Sequence, residues 1–296
     1  MQRKLVQLGT HSYMSAIPKK WLRKHNLKKG DSIDFTEVDN KLVISSTAEV
    51  FEKKTEMFID PPHKILVWRL IQPLYSSGYE EVKLNFKNPL MFKEIERCVN
   101  LLADFEIIET NPNYVIIKSI STKLDEDIQP ILKRTWQIIK QMALIVEHCF
   151  VNKDKQRLQE VYALEQSVNK YVMLMKRIIN RTGYKYPHYT YMLVYFLDLT
   201  ANHYEYIRRH YVYYKNAKVK TGYAEGVKQL NQLLFDVYDL QYNFTLDKFN
   251  KIASDLPHFK WFEDLKDDTI KYHYRTIAGY LVQISRNILP MNISPT

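Results

Sequence analysis

Apolar and polar residues change their period twice along this chain. Over residues 1–47 the apolar stretches are short and extended. Arg3–Leu8 reads as a strand broken by Gly9, and Ser12–Ile17 as a second short run. Pro18 sits where a first helical turn tolerates it. Lys19–His25 then reads as a short amphipathic helix anchored by Trp21 and Leu22, and Leu27-Lys28-Lys29-Gly30-Asp31 as a turn. Ser32–Val38 alternates, with Ile33 and Phe35 on one face. Asp39-Asn40 reads as a two-residue turn, and Lys41–Ser45 as the returning strand. So small a segment is marginal alone, and a dimer sharing one core is the natural remedy.

Between residues 50 and 122 the period alternates between the two kinds. Pro61–Leu74 has helical spacing, Glu81–Phe86 alternates as a strand, and Pro89–Ala103 returns to helical spacing through Met91, Phe92, Ile95, Val99 and Leu102. Phe105–Glu109 and Tyr114–Ser119 are short strands. From residue 123 to 291 steps of three and four dominate. They predict six helices: one from about Leu124 to Cys149, then Lys155–Arg181, then His188–Tyr214, a fourth from about Tyr223, a fifth capped by Thr245, and a sixth from about Asp267. Six helices with short breaks predict an antiparallel bundle, with two packed three-helix units as one arrangement of it.

Composition sets the class. The chain has 296 residues, 46% hydrophobic and 26% charged, which is ordinary for a globular protein and too rich in apolar residues for a disordered one. No run approaches the roughly 18 apolar residues of a membrane span, so no stable membrane insertion is expected. The first residues lack the apolar segment of a secretory signal, and two cysteines are too few for a disulfide framework, so the expected address is the cytoplasm. The formal net charge is +10, which makes an anionic partner plausible. Residues 1–50 hold 9 basic and 5 acidic residues. Lys19, Lys20, Arg23, Lys24, Lys28 and Lys29 crowd together, with Arg3 and Lys4 upstream and no acid before Asp31. A solvated helix face is the plainer account of the same run.

Candidate chemistry adds little. The histidines are scattered, and no His-Glu-x-x-His, Gly-x-Ser-x-Gly or glycine-rich phosphate loop occurs, so no enzymatic activity is expected. Asp198, Asn202, Glu205 and Arg209 make a polar stripe near His203 and His210 that could offer oxygen ligands to a cation. The simpler reading is the solvated face of the third bundle helix. Ten tyrosines from Tyr184 to Tyr214 crowd around that helix. They could stack on bases, but packing against the bundle explains them more readily.

The order Gly9, Ser12, Pro18, Lys19–Arg23, Leu27-Lys28-Lys29-Gly30-Asp31 and Asn40–Ser45 resembles the AbrB/SpoVT swapped-hairpin DNA-binding domain. The resemblance implies a homodimer whose interleaved hairpins close one small barrel. It also implies double-stranded DNA as partner, met by Arg3, Lys4, Lys19, Lys20, Arg23 and Lys24. The remainder resembles the PhoU-like helical proteins, in the archaeal arrangement with an AbrB-type domain before an α/β linker. Asp104–Glu109 looks like that linker's Gly-Phe-Glu-Ile segment, with Asp104 in place of the glycine.

That second resemblance places a metal-binding Glu/Asp-x-x-x-Asp motif at Asp198 and Asn202, where one carboxylate is an amide. It places another at Val282 and Arg286, where both carboxylates are gone, and Asn169 stands where an acid is expected. Hard cations prefer charged oxygens, so the expectation is a bundle that keeps the shape without a divalent or iron/zinc cluster, and no cofactor. Together these give a multidomain α+β chain with a swapped-hairpin barrel at 1–47, an α/β module at 50–122 and a PhoU-like six-helix bundle at 123–291. The expected function is DNA-binding regulation of phosphate uptake. The alternative is an adaptor that binds a phosphate transporter subunit or a sensor kinase, with the N-terminal domain used only to dimerise. An antitoxin fits poorly, because a long helical region stands where such proteins carry a short toxin-binding tail.

Overall fold

A computed structural model describes residues 2–38, 41–46, 53–59, 64–120, 127–182, 184–213, 222–255 and 268–293. The chain falls into two compact units, Met1–Lys53 and Lys54–Thr296. The expected turn at Asp39-Asn40, the helix start at Pro61, and Leu124, Gly183, Tyr214 and Asp267 lie outside the described residues.

The first unit holds two hairpins and one helix. Strands β1 (Val6–Leu8) and β2 (Ser12–Met14) pair antiparallel, with Val6 opposite Met14. Gly9 makes the return between them at φ 72°, a left-handed conformation that glycine adopts without a Cβ clash. Helix α1 (Lys19–Lys24) starts on the carbonyl of Pro18, which accepts from the Trp21 and Leu22 amides. Gly30, at φ 98°, closes the following turn, and the Asp31 carboxylate accepts from the Lys28 amide at 2.6 Å. Strands β3 (Ile33–Val38) and β4 (Lys41–Ser46) pair antiparallel, Ile33 opposite Ser46. Among the described residues the two hairpins form separate two-stranded sheets.

The second unit begins with a two-layer α/β module. Its sheet runs β5 (Lys54–Phe58), β6 (Glu81–Asn85), β8 (Tyr114–Ser119), β7 (Phe105–Asn111). β5 and β6 are parallel and joined through α2 (Lys64–Ser76); β8 is antiparallel to β6 and β7. Strand β5 escapes the sequence reading because Lys-Thr-Glu-Met-Phe is short and barely apolar. It pairs because its backbone extends β6 and because Lys54–Glu81 and Lys83–Glu56 ion pairs, at 3.2 and 3.0 Å, bridge the two strands. Val82, Leu84, Val115 and Ile117 are buried on one face with Val67, Ile71 and Tyr75 of α2 and Ile95 and Val99 of α3 (Met91–Val99).

The helices follow: α4 (Gln129–Asn152), a 3-10 turn at Gln156–Gln159, α5 (Glu160–Thr182), α6 (Pro187–Tyr213), α7 (Tyr223–Tyr242), α8 (Leu246–Asp255) and α9 (Asp268–Asn292). Lys153 ends α4 in a left-handed turn. The Lys248 amide donates to the Thr245 hydroxyl at 3.2 Å, so Thr245 caps α8. Helices α4, α5 and α6 pack on one another, as do α7, α8 and α9; α6 meets α9 and α4 meets α7 across the two groups. Trp136, Phe150, Tyr204, Tyr223 and Tyr274 are buried at this junction. The α/β layer does not stand apart, because its core and the helices' core are continuous.

Candidate nucleic-acid interface

Four of the six expected DNA-contacting side chains share one surface. Lys19, Lys20, Arg23 and Lys24 are exposed on α1, and their positions fall within about 140° of its circumference. Trp21 and Leu22 occupy the remaining arc and are half-buried, which fixes the direction of the basic face. The Trp21 ring lies 4.6 Å from the His25 ring, and Leu27 behind the helix is buried. Arg3 and Lys4 are exposed but precede β1 rather than belonging to it. The reason is the length of β2: three residues on the far side of Gly9 pair only Val6–Leu8.

This unit shows more apolar surface than it buries. Leu5, Val6, Leu8, Tyr13, Met14, Phe35, Leu42 and Val43 are exposed; Leu27 is the buried hydrophobic side chain among its described residues. So many large apolar side chains exposed in so small a unit mark an interaction face.

The stripe on α6 is solvated only in part: Arg209 is exposed and Asn202 half-buried, whereas Asp198 and Glu205 are enclosed in ion pairs. Glu205 is 1% exposed and accepts from Arg208 Nη2 at 2.7 Å and Arg209 Nε at 2.9 Å. Lys176 Nζ, buried on α5, stands 3.3 Å from Asp198 Oδ2. Burial pushes the Asp198 carboxyl above its usual range, and the Lys176 ammonium opposes that rise. Glu165 is likewise pushed up by burial, while Asn169 and Gln166 donate to it, each at 2.6 Å. Asn169 thus serves a carboxylate of its own helix. Asn202 is half-buried four residues beyond Asp198.

These residues do not fit a divalent cation. The pair Asp198 and Asn202 offers one charged carboxylate, and the ammonium beside it supplies the positive charge a metal would bring. Among the described residues no group of three or more His, Cys, Asp or Glu gathers as metal ligands. Val282 is buried and Arg286 exposed at the other expected motif.

Three arrangements escape the sequence reading. His203 of α6 and His273 of α9 are buried with their Nδ1 atoms 3.0 Å apart. Arg177 of α5, 0% exposed, donates to the Tyr75 and Tyr79 carbonyls at 2.9 and 2.7 Å and pairs with Glu80 at 3.2 Å. Lys176 is the third, and it alone leaves a signal: it lies in the apolar register of Val168, Val172, Met175 and Ile179. The tyrosines divide. Tyr204 and Tyr211 pack inside as expected, whereas Tyr189, Tyr195, Tyr206 and Tyr213 are exposed. A groove of about 320 Å³ lined by Phe86, Pro89, Phe92, Thr110, Asn111 and Pro112 carries no titratable side chain.

Residues 6–51 match the family model described as antidote-toxin recognition MazE, bacterial antitoxin. The N-terminal unit therefore carries a MazE/AbrB-like domain. The match does not extend to the α/β layer or the helices. No curated protein and no solved structure matches the chain. Among the described residues no helix is long and apolar enough to cross a membrane.

Proposed function

We propose that this chain is a DNA-binding regulator that acts as a homodimer through residues 1–53. The observation that carries the reading is the single basic face of α1, held outward by Trp21 and Leu22 within a MazE/AbrB-like domain. The exposed apolar side chains of β1–β4 support the dimer, since a second copy would cover them and close a shared core. Eight α1 cations, four from each copy, would then face the phosphate backbone and release counterions on binding.

Titration of labelled duplex DNA at two salt concentrations tests this. Affinity falls steeply with salt, and replacing Lys19, Lys20, Arg23 and Lys24 with Gln removes most of the binding and flattens the salt slope. Binding that is absent, or indifferent to salt, overturns the reading.

The process regulated is a finer matter. The resemblance of the helices to PhoU-like proteins points to phosphate uptake, and sequencing the genomic fragments the protein retains tests that link through enrichment beside phosphate-transport genes. A second reading, antitoxin-type regulation, is favoured by the description of the matching family. It predicts a tightly bound small partner that co-purifies with the chain. If neither DNA nor such a partner binds, the weight moves to the helices as an adaptor for a transporter subunit or kinase.

A further inference from the structure

We propose that the outward face of α6 is a second dimer seam, which receives α6 of another copy of this chain in antiparallel register across a two-fold axis. Met192, Tyr195, Leu199, Tyr206 and Tyr213 recur along that face, and Tyr213 is 70% exposed. Asn202 and Arg209 complete the series, so the whole stripe steps by three and four residues in strict alternation. That period lets two helices keep one seam in contact along its length. The stripe is about 32 Å long.

It carries one formal charge in a chain of net +10, and that charge is already engaged: Arg209 Nε lies 2.9 Å from Glu205 Oε1. Copies that would repel elsewhere can approach here.

The stripe is complementary to its own reverse. Turned about its midpoint, Met192 meets Tyr213, Tyr195 meets Arg209, Leu199 meets Tyr206 and Asn202 meets itself. The Arg209 guanidinium, 5.6 Å from its own Tyr206 ring, then has a second aromatic face to cover. An amide both donates and accepts, so Asn202 can bond its own copy, and a single polar residue in such a seam fixes the register. Parallel pairing would instead set Arg209 against Arg209.

The central ring is held before any partner arrives. Tyr206 lies 5.4 Å from the buried His203 ring, which itself lies 5.8 Å from Tyr272 and 5.5 Å from Tyr280 of α9. A ring already fixed loses little freedom on docking.

Thiol cross-linking of the full chain tests the seam, since Cys98 and Cys149 are both buried. Asn202→Cys, treated with a short bifunctional thiol reagent, gives a covalent dimer; Leu144→Cys on the exposed side of α4 does not. Mixing a tagged Met192→Cys chain with an untagged Tyr213→Cys chain gives the tagged–untagged product, which keeps the test open if Asn202→Cys misfolds. Adding Tyr195→Glu and Tyr206→Glu reduces each cross-link at least tenfold. A dimer in sedimentation without either cross-link overturns the seam and leaves dimerisation to the N-terminal unit. A monomer in sedimentation overturns it as well. DNA binding is read on the same samples, so loss of the cross-link with salt-dependent DNA binding retained counts against the seam alone.

Discussion

Arg177 illustrates how much one side chain can hold together. Its guanidinium lies against the edge-to-face pair of Tyr75 and Phe105, 4.9 and 5.0 Å from the two rings, and donates to the Tyr75 carbonyl in the last turn of α2 and to the Tyr79 carbonyl just beyond it. Arg181 adds a contact of 3.0 Å to the same Glu80, and Asn180 donates to the Ser76 carbonyl at 2.8 Å. Removing this buried cation takes one of two partners from Glu80 and leaves the Tyr79 carbonyl without its side-chain donor, and breaking a buried pair costs about 3–5 kcal/mol. Arg177→Ala is therefore expected to lower the denaturant midpoint sharply. Arg177→Lys recovers little of it, because a single ammonium does not reach both carbonyls and Glu80 at once, as Nη1 and Nη2 do. The sequence gives no warning of this residue: an arginine in a helix reads as solvent-facing until its neighbours in space are known. Lys176 is different, since its place in the apolar register marks it as buried before any fold is seen.

Between elements, the α6–α9 contact turns on the two histidines. With their Nδ1 atoms 3.0 Å apart, one ring donates its proton and the other accepts it, so the pair is suited to neutral imidazoles. Burial holds His203 below its ordinary value of 6.5. The folded chain then binds fewer protons than the unfolded one, so the stabilisation is full above that value and is lost as pH falls through the lower, folded one. Thermal melts between pH 7.5 and 5 are expected to show a falling midpoint, and His203→Phe flattens that part of the profile. At α8 the expectation is smaller and simpler: Thr245→Ala removes the cap and costs about 1 kcal/mol in denaturant titration.

Elements of this kind were the most legible part of the chain. Long stretches in steps of three and four located α4 to α9 closely, and Thr245 was identifiable from its place before a periodic run. What periodicity does not record is which polar residue turns inward. The α6 stripe therefore reads as solvated when Asp198 and Glu205 are in fact enclosed in ion pairs. Short strands fare worst, as β5 shows, because five residues with two charges carry too little pattern to separate a strand from a loop.

For the molecule as a whole, the basic run of α1 is visible in the order of residues, where six cations crowd between Lys19 and Lys29, and the same run reads equally as a solvated helix face. The limits of the independent units are not. The apolar periods change near residue 122, yet Arg177 reaches from α5 back to Tyr75, Tyr79 and Glu80, and the core runs on beneath it. Calorimetry bears on this directly. Residues 54–296 are expected to melt in one transition, with β6 and β8 amides exchanging at the same free energy as those of α5. A chain cut at residue 122 would keep every bundle helix but leave Arg177 without its carbonyls, its carboxylate and both aromatic rings. The natural place to divide this protein for separate expression is therefore near residue 53, and a fragment begun at the change of pattern is expected to aggregate.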